Sequence, residues 1–386
     1  MRILTLAVLV AAAFPVLADQ PLLPAGDRDQ IPTRLAYLPA PAGAFERKPV
    51  SFSWKLDPAQ TVSTPAPQLV ESREYWQTVE GADLVRGLDV AVSAPGAVIR
   101  VSPARGAAHL KPADLKLHRN GQAARLQSAA GDEELQAAGM DVDPGTAVVK
   151  LDHAATAGRY KLQAATARGR YLLHVFEPQS DVVLRAQARK NHALSGDTMA
   201  VDIAMSRAGR TVEASTQALL VAPDGTSQPV TISRKSSGGG TAEVKLPVST
   251  SDRAGLWELQ VFANDGALAR DARTAFAVAQ PTARFKGDYA VNTGLLRLAL
   301  PVEAGSAGRY EARGTLYATG PDALLRPVSQ GHVANWFERG DGILVLDFEE
   351  SHVPAGFGAP YEVRYLELHD QTRLVPVETR DRGVRF

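Results

Sequence analysis

A short pattern recurs along the chain: glycine, a variable residue, an aromatic residue, a variable residue and an apolar residue. It occurs four times, with the aromatic position at Tyr160, Tyr171, Trp257 and Tyr310. Each copy turns at its glycine and then alternates large and variable residues with a period of two, which is typical of a half-buried strand. Because Tyr160 and Tyr171 are close in sequence, we expect them on neighbouring strands of one sheet.

Alternating apolar and polar positions predict strands along most of the chain, about one every 8–15 residues, with almost no helical periodicity. Turn signals separate the strands, and Asn120-Gly121 predicts a hairpin. This arrangement indicates an all-β protein of tandem immunoglobulin-like β-sandwich modules. We place the three modules at residues 68–182, 183–282 and 283–386.

Residues 19–67 form a proline-rich N-terminal arm, in which regular structure is disfavoured because proline fixes φ and lacks an N–H donor. One segment is an exception, since Val50, Phe52, Trp54 and Leu56 alternate with polar residues. We therefore expect an extended arm with one strand that packs on the module that follows it. A linker across a cell wall is the competing interpretation, and the large aromatic residues argue against it.

The first 18 residues have the three parts of a secretory signal peptide: a basic start at Arg2, an apolar run, and small residues before a cut after Ala18. The run is too short to cross a hydrocarbon core of about 30 Å, so no permanent membrane anchor is expected. These residues predict export to the periplasm or the extracellular medium.

The amino-acid composition excludes several kinds of site. The chain has 0 Cys, which excludes disulfides, thiol redox catalysis and cysteine-based zinc sites. Lys+Arg and Asp+Glu are 42 each, so no basic field is expected for nucleic acid. No motif indicates a cofactor.

Two segments resemble parts of known exported proteins. Residues 251–261, Ser-Asp-Arg-Ala-Gly-Leu-Trp-Glu-Leu-Gln-Val, look like the penultimate strand of immunoglobulin-like modules in secreted bacterial proteins. Residues 358–368 look like a motif in the C-terminal modules of exported hydrolases. Taken whole, the leader and three modules are similar to the bacterial family named domain of unknown function 4785. The resemblance implies this fold and export, and it brings no catalytic or ligand-binding residues.

Catalytic motifs have little support. There is no Gly-x-Ser-x-Gly elbow and no His-Glu-x-x-His pair. Ser195 and Asp197 lie near His192, but neighbours on one loop rarely form a catalytic triad, and loop capping is the favoured interpretation.

Two acidic pairs are further candidates. Asp141 and Asp143 have the spacing of some calcium loops, without the remaining ligands that calcium needs. Asp347 and Glu349 are expected on one strand face, where two carboxylates can act as a glycosidase acid–base pair. For both pairs a solvated polar position is the favoured interpretation.

The best binding candidate is a set of three residues, His332, Trp336 and Phe337, predicted to lie in a loop or at a sheet edge. Aromatic residues outside the core alternation can contact sugars or proteins. The competing interpretation is that Trp336 closes one end of the sandwich.

Our leading hypothesis is an exported, non-catalytic binding or structural protein of the cell envelope or extracellular space, with a protein or glycan partner. The alternative is a secreted hydrolase, or an accessory module of one, which requires a cleft where histidines and carboxylates from different modules converge. A third hypothesis is an exposed strand edge that pairs with a partner strand, with the arm around residues 50–56 donating or covering such an edge.

Overall fold

The structure, a computed structural model, describes residues 20–236, 238–248 and 255–386. The predicted signal peptide and residues 251–254 of the Trp257 segment lie outside these ranges. The chain is nearly all β, with 54% of residues in strands and 5% in helices, which confirms the predicted fold class of tandem immunoglobulin-like sandwiches behind an N-terminal arm. Neither helix of the described residues is long and apolar enough to span a bilayer.

Three strands come from the N-terminal segment: β1 (Gln20–Pro21), β2 (Val50–Lys55) and β3 (Leu69–Ser72). The first module then contains β4 (Glu74–Glu80), α1 (Gly81–Arg86), β5 (Leu88–Val92), β6 (Val98–Pro103), a 3-10 turn (Pro112–Asp114), β7 (Lys116–Arg119), β8 (Gln122–Ala123), β9 (Leu126–Gly131), α2 (Asp132–Ala137), β10 (Ala147–Leu151), β11 (Gly158–Gln163) and β12 (Arg170–Phe176). Its two sheets have the orders β4-β12-β6-β10-β9 and β5-β11-β7-β8. The sheets enclose an apolar core that runs from Tyr75 to Val175.

The second module contains β13 (Val182–Ala188), β14 (His192–Leu194), β15 (Thr198–Arg207), β16 (Arg210–Thr211), β17 (Ser215–Val221), β18 (Ser227–Val230), β19 (Ile232–Arg234), β20 (Gly240–Lys245), β21 (Trp257–Asn264) and β22 (Ala269–Ala279). One sheet has the order β19-β20-β15-β13-β3 and the other β14-β22-β21-β17-β18. Residues 69–72, assigned to the first module from the sequence, therefore complete a sheet of the second.

The third module contains β23 (Ala283–Phe285), β24 (Asp288–Asn292), β25 (Arg297–Ala304), β26 (Gly308–Thr319), β27 (Leu325–Phe337), β28 (Gly340–Asp347), a 3-10 turn (Glu350–His352), β29 (Gly358–Asp370) and β30 (Val375–Arg385). One sheet has the order β1-β24-β25-β23, with β28 also paired to β25. The other sheet has the order β2-β27-β26-β29-β30, and its outer face carries the site described below.

The N-terminal arm belongs mainly to the third module. Strand β2 pairs antiparallel with β27, with Val50 opposite Ala334, and β1 pairs with β24. The expectation that the segment at residues 50–56 packs on the following module is wrong. Without the arm, β27 would be the edge strand of its sheet. The arm pairs with that edge through β2, and the chain enters the first module only after this strand.

Tyr160 and Tyr171 lie on β11 and β12, which belong to opposite sheets of the first sandwich. The expectation of neighbouring strands in one sheet is therefore wrong. The chain between the two strands crosses the sandwich, with Ala164 and Ala167 buried in the turn, so both rings enter one core from opposite sides.

A buried ion pair joins the first two modules. Arg270 on β22 and Glu177 after β12 are both 0% exposed, and Arg270 Nη2 lies 2.6 Å from Glu177 Oε2. Arg270 also donates to Ser93 Oγ at 3.0 Å and to Ser180 Oγ at 2.9 Å, while the backbone N–H of Ala94 donates to Glu177 at 3.1 Å. Paired and hydrogen-bonded in this way, the two charges are compatible with full burial.

The arm also fills the seam between the second and third modules. Arg34 donates to the hydroxyl of Ser195 in the second module at 3.0 Å. The N–H of Ala36 donates to the Pro281 carbonyl between the modules at 2.8 Å, and that of Leu38 donates to Ser306 Oγ in the third module at 2.8 Å. The arm is therefore a structural connector of both modules.

Candidate functional site

An exposed group of stacked rings lies on the outer face of the β2-β27 pair. Phe52 faces His332 across the two strands, with ring centroids 5.2 Å apart and planes 8° apart. Trp54 lies 4.9 Å from His332 and 5.9 Å from Phe52. Phe52 is 50% and Trp54 40% exposed, although large aromatic residues are normally mostly buried. We call Phe52, Trp54 and His332 the aromatic surface.

Hydrogen bonds fix the orientation of His332. Its Nδ1 lies 2.6 Å from Glu311 Oε1, and Gln371 donates to Glu311 Oε2 at 3.0 Å. Burial acts to raise the pKa of Glu311, but the hydrogen bonds from His332 and Gln371 outweigh it, and the pKa lies below its usual value. An ionised carboxylate only accepts hydrogen bonds, so Nδ1 is the donor to Glu311. The ring is thus held in one orientation.

Trp336 continues this face along β27, beyond His332. The guanidinium of Arg47 lies over its ring, 4.2 Å from the centroid, and Phe45 lies 6.0 Å away. The indole N–H donates to Glu338 Oε1 at 2.7 Å. The arm therefore covers part of Trp336 while leaving Phe52 and Trp54 open to solvent.

Phe337 is not part of this surface. It is the last residue of strand β27 and lies on the opposite face from Trp336, as successive residues of a strand do. It packs on the core of the third module, 6.3 Å from the Tyr310 ring centroid. The prediction that these aromatic residues lie in a loop or at an edge is wrong, because they are the last residues of a long strand. Of the three predicted binding residues, only His332 and Trp336 lie on the same face of that strand.

A cleft of about 380 Å³ opens beside the aromatic surface, at the junction of the arm and the second and third modules. Residues 64–67 of the arm form one wall, residues 189–192 of the second module another, and Arg313, Glu367 and His369 of the third module the base. A volume of this size falls in the range of about 300–1,000 Å³ that is usual for ligand pockets, which often lie between modules.

Most charges in the cleft are paired. Glu367 Oε2 accepts hydrogen bonds from Arg313 Nε at 2.8 Å and from His369 Nε2 at 2.7 Å. Burial acts to raise the pKa of Glu367, but His369 and the positive charge of Arg313 outweigh it and lower the pKa. Burial lowers the pKa of His192, which lines the same cleft. Lys190 differs, because its ammonium donates to the neutral backbone carbonyl of Asp29 at 2.7 Å.

The aromatic surface and the cleft are continuous. The strand register places Phe52 opposite His332, His332 opposite Arg313, and Arg313 opposite Glu367. These four residues form one row across the outer face of the sheet, from its aromatic edge into the charged cleft.

The Ser195 constellation does not form a triad. The Ser195 hydroxyl is buried and donates to Gln280 Oε1 at 2.8 Å, while it accepts a hydrogen bond from Arg34. The backbone N–H of Asp197 donates to the Leu194 carbonyl at 3.1 Å in a local turn, and burial raises the pKa of its carboxyl. His192 faces the cleft instead.

The acidic pairs are also dispersed. Asp347 forms an ion pair with Arg297 at 2.7 Å, whereas Glu349 is exposed and lies 3.6 Å from His352. Asp141 and Asp143 are exposed on a turn. Across residues 20–236, 238–248 and 255–386, no group of three or more His, Asp or Glu side chains is placed to hold a metal ion.

Sequence reasoning missed two parts of this site. The alternation at Val50, Phe52 and Trp54 identified a strand, but it did not place that strand beside His332. Lys190 and Glu367 line one cleft because the second and third modules meet there. No local sequence pattern indicates how modules meet.

The fold and the site geometry define an all-β protein of tandem immunoglobulin-like sandwiches, with one sheet face that combines aromatic and charged groups. The chain belongs to the DUF4785 family. Residues 41–177 match its N-terminal domain and residues 282–386 its C-terminal domain, both described as a domain of unknown function. The resemblance noted in the sequence is thereby confirmed.

The fold is shared with a solved structure of a DUF4785 family protein from Legionella pneumophila. The two chains are 19% identical, with a TM-score of 0.68, over 91% of this chain and 98% of that one. Trypsin-activated alpha-2-macroglobulin from Escherichia coli (13% identity, TM-score 0.22, 72% of this chain and 21% of that chain) has only a weak likeness. The chicken CNTN1 FN1–FN3 domains (12% identity, TM-score 0.21, 77% and 98%) are equally distant. No curated protein matches the chain.

Proposed function

We propose that this protein is an exported, non-catalytic binding protein of the cell envelope or extracellular space, and that it binds a glycan on the aromatic surface. Export is supported by the signal-peptide pattern of residues 1–18. Binding is supported by one observation above all, the exposed and mutually stacked rings of Phe52, Trp54 and His332.

Contacts within the protein hold these rings in place. His332 is held by Glu311, and the two arm rings stack against it and against each other. A rigid aromatic surface loses little conformational entropy on binding, and that preserves affinity. Exposed aromatic residues in such positions are also the residue type most often dominant in binding energy.

A glycan fits the surface better than a protein does. A sugar ring offers an apolar C–H face with hydroxyl groups around it, and the rings here are bordered by the hydrogen-bonding groups of Gln330, Glu311 and Arg313. A whole aromatic side chain has a surface of about 150–250 Å². Since Phe52 and Trp54 are each about half exposed, together they offer about 200 Å² of apolar area to a ligand. A stable protein interface needs about 800 Å² per partner.

A hydrolase is the second candidate, because the cleft brings His192 of the second module together with Glu367 and His369 of the third. The hydrogen bonds that lower the pKa of Glu367 argue against it, since a general base works best with a pKa near the operating pH. Incubation of the purified protein with peptidoglycan or soluble polysaccharides should release no new reducing ends. Turnover that Glu367→Gln abolishes would establish the hydrolase instead.

The binding test is affinity electrophoresis of the purified protein through gels that contain soluble polysaccharides or peptidoglycan fragments. Trp54→Ala should weaken binding about 30-fold, which corresponds to the loss of about 2 kcal/mol expected for a central aromatic contact. Leu295→Ala is the matched control, because Leu295 is 53% exposed on a turn of the third module. Equal binding by Trp54→Ala and the wild type would contradict the proposal.

A further inference from the structure

We infer that the ligand is an acidic glycan, whose sugar rings stack on the aromatic surface while its carboxylates enter the cleft beside Lys190. The inference rests on the proposed function and specifies its substrate class.

The row across the sheet connects the two parts of the site. Neighbouring strands lie about 4.7–4.9 Å apart, so Arg313 is one strand from His332 and Glu367 is two strands away, at about 10 Å. An extended chain that stacks on Phe52 and His332 therefore reaches the cleft without leaving the face of the sheet.

The cleft contains one ammonium group, that of Lys190, that no carboxylate of the described residues contacts directly, although Asp197 attracts it at longer range. Its arginines are paired with carboxylates: Arg28 with Asp381 at 2.6 Å, Arg189 with Asp202 at 3.0 Å, Arg313 with Glu367 at 2.8 Å and Arg380 with Glu378 at 2.7 Å. Lys190 forms no ion pair among the described residues and donates to the Asp29 carbonyl at 2.7 Å. A ligand carboxylate beside Lys190 would form the charge-assisted hydrogen bond that the ammonium lacks.

Hydrogen bonds fix the position of the arm that lines the cleft. Side chains from two modules hold the arm across it: Gln187 donates to the Pro67 carbonyl at 2.9 Å, and Asn191 to the Pro65 carbonyl at 3.3 Å. From the third module, the Tyr365 hydroxyl donates to the Val62 carbonyl at 2.9 Å. Pro65 and Pro67 have no N–H, so these two residues offer a ligand no backbone donor, and the charged side chains that line the rest of the cleft are left to select its acid groups.

The experiment compares two forms of one polymer, polygalacturonate and its fully methyl-esterified form, which differ in charge and share the same ring stereochemistry. The full-length mature protein should bind polygalacturonate about tenfold more tightly at low salt, and added salt should remove this difference because it screens the ion pair. Lys190→Gln should bind both forms with the wild-type affinity for the ester. Lys116→Gln is the charge-matched control, since Lys116 is exposed on β7 in the first module.

The outcomes separate the two proposals. Equal wild-type affinity for the acid and the ester, or an acid preference that Lys190→Gln retains, overturns the acidic ligand and leaves glycan binding intact. Wild-type protein that binds neither form overturns the acidic ligand, and glycan binding is overturned as well if the polysaccharide and peptidoglycan gels described above also show no binding. Trp54→Ala should weaken binding of both forms alike, which distinguishes stacking from the charge effect.

Discussion

Three buried tyrosines form hydrogen bonds through their hydroxyl groups to backbone carbonyls that lie just before their own strands. Tyr160 Oη donates to the Thr156 carbonyl at 2.8 Å, and Tyr310 Oη to the Ser306 carbonyl at 2.7 Å. The single hydroxyl proton of Tyr171 is shared between the carbonyl oxygens of Ala108, at 2.8 Å, and Arg168, at 3.0 Å. This is the tyrosine corner known from immunoglobulin-like sandwiches. The recurring aromatic position therefore requires a hydroxyl as well as a ring in these three copies.

Tyr310→Phe should lower the free energy of unfolding of the third module by about 1–2 kcal/mol, because it removes the hydroxyl that donates to the buried Ser306 carbonyl. Tyr37→Phe is the control, since Tyr37 is 62% exposed and its change should be close to zero. Urea denaturation followed by tryptophan fluorescence measures both. Equal midpoints for the two variants would show that the Tyr310 hydroxyl adds no stability.

At the scale of elements, two strands that come before the first sandwich in the chain pair with strands of the later modules. Strand β2 covers β27 in the third module, and β3 pairs with β13 in the second. An uncovered edge presents free backbone N–H and C=O groups to other chains and promotes association. The hypothesis that the arm covers an edge agrees with this pairing, and β2 is now the outermost strand of its sheet.

Deletion of residues 50–55 should expose the edge of β27 and make the protein self-associate. Light scattering over a concentration series should show dimers or larger species where the wild type shows none. A double variant, Phe52→Ser with Trp54→Ser, keeps the backbone pairing and removes the exposed rings. If that variant associates as strongly as the deletion, then edge exposure is not the cause.

Alternation in the sequence predicts which residues share a strand face, and it does so correctly for Phe52 and Trp54. It does not reveal the partner strand, because pairing depends on contacts between distant residues. The same alternation along β27 would have placed Trp336 and Phe337 on opposite faces, if the predicted strand had continued to Phe337, where it ends. The cleft depends on the meeting of modules, so no periodicity in the chain could indicate that Lys190 and Glu367 share it.

For the whole molecule, the buried pair of Arg270 and Glu177 ties the first module to the second. Removal of one partner leaves the other charge buried without compensation, and this is a much larger effect than the loss of a surface ion pair. Each of the three modules has a core of its own, so it is this buried pair that is expected to make the first two unfold together.

Arg270→Met should destabilise the first two modules by about 3–5 kcal/mol, as expected when one partner of a buried ion pair is removed. Differential scanning calorimetry should show their transition at a lower temperature, with the transition of the third module as an internal control. A second substitution, Glu177→Leu, should recover most of the loss because no charge is then left buried. Failure of the double variant to recover would show that the hydrogen bonds of the network, rather than the charge, dominate.

The position of the arm also sets an order of events during synthesis. The carbonyl of Trp54 accepts a hydrogen bond from Ser329, a residue 275 positions later. A ribosome that adds about 5–20 residues per second needs tens of seconds to bridge that gap. Strand β2 thus leaves the ribosome among the first segments of the chain, and its partner strand β27 among the last. The sheet that contains both strands cannot form until nearly all of the chain has been made.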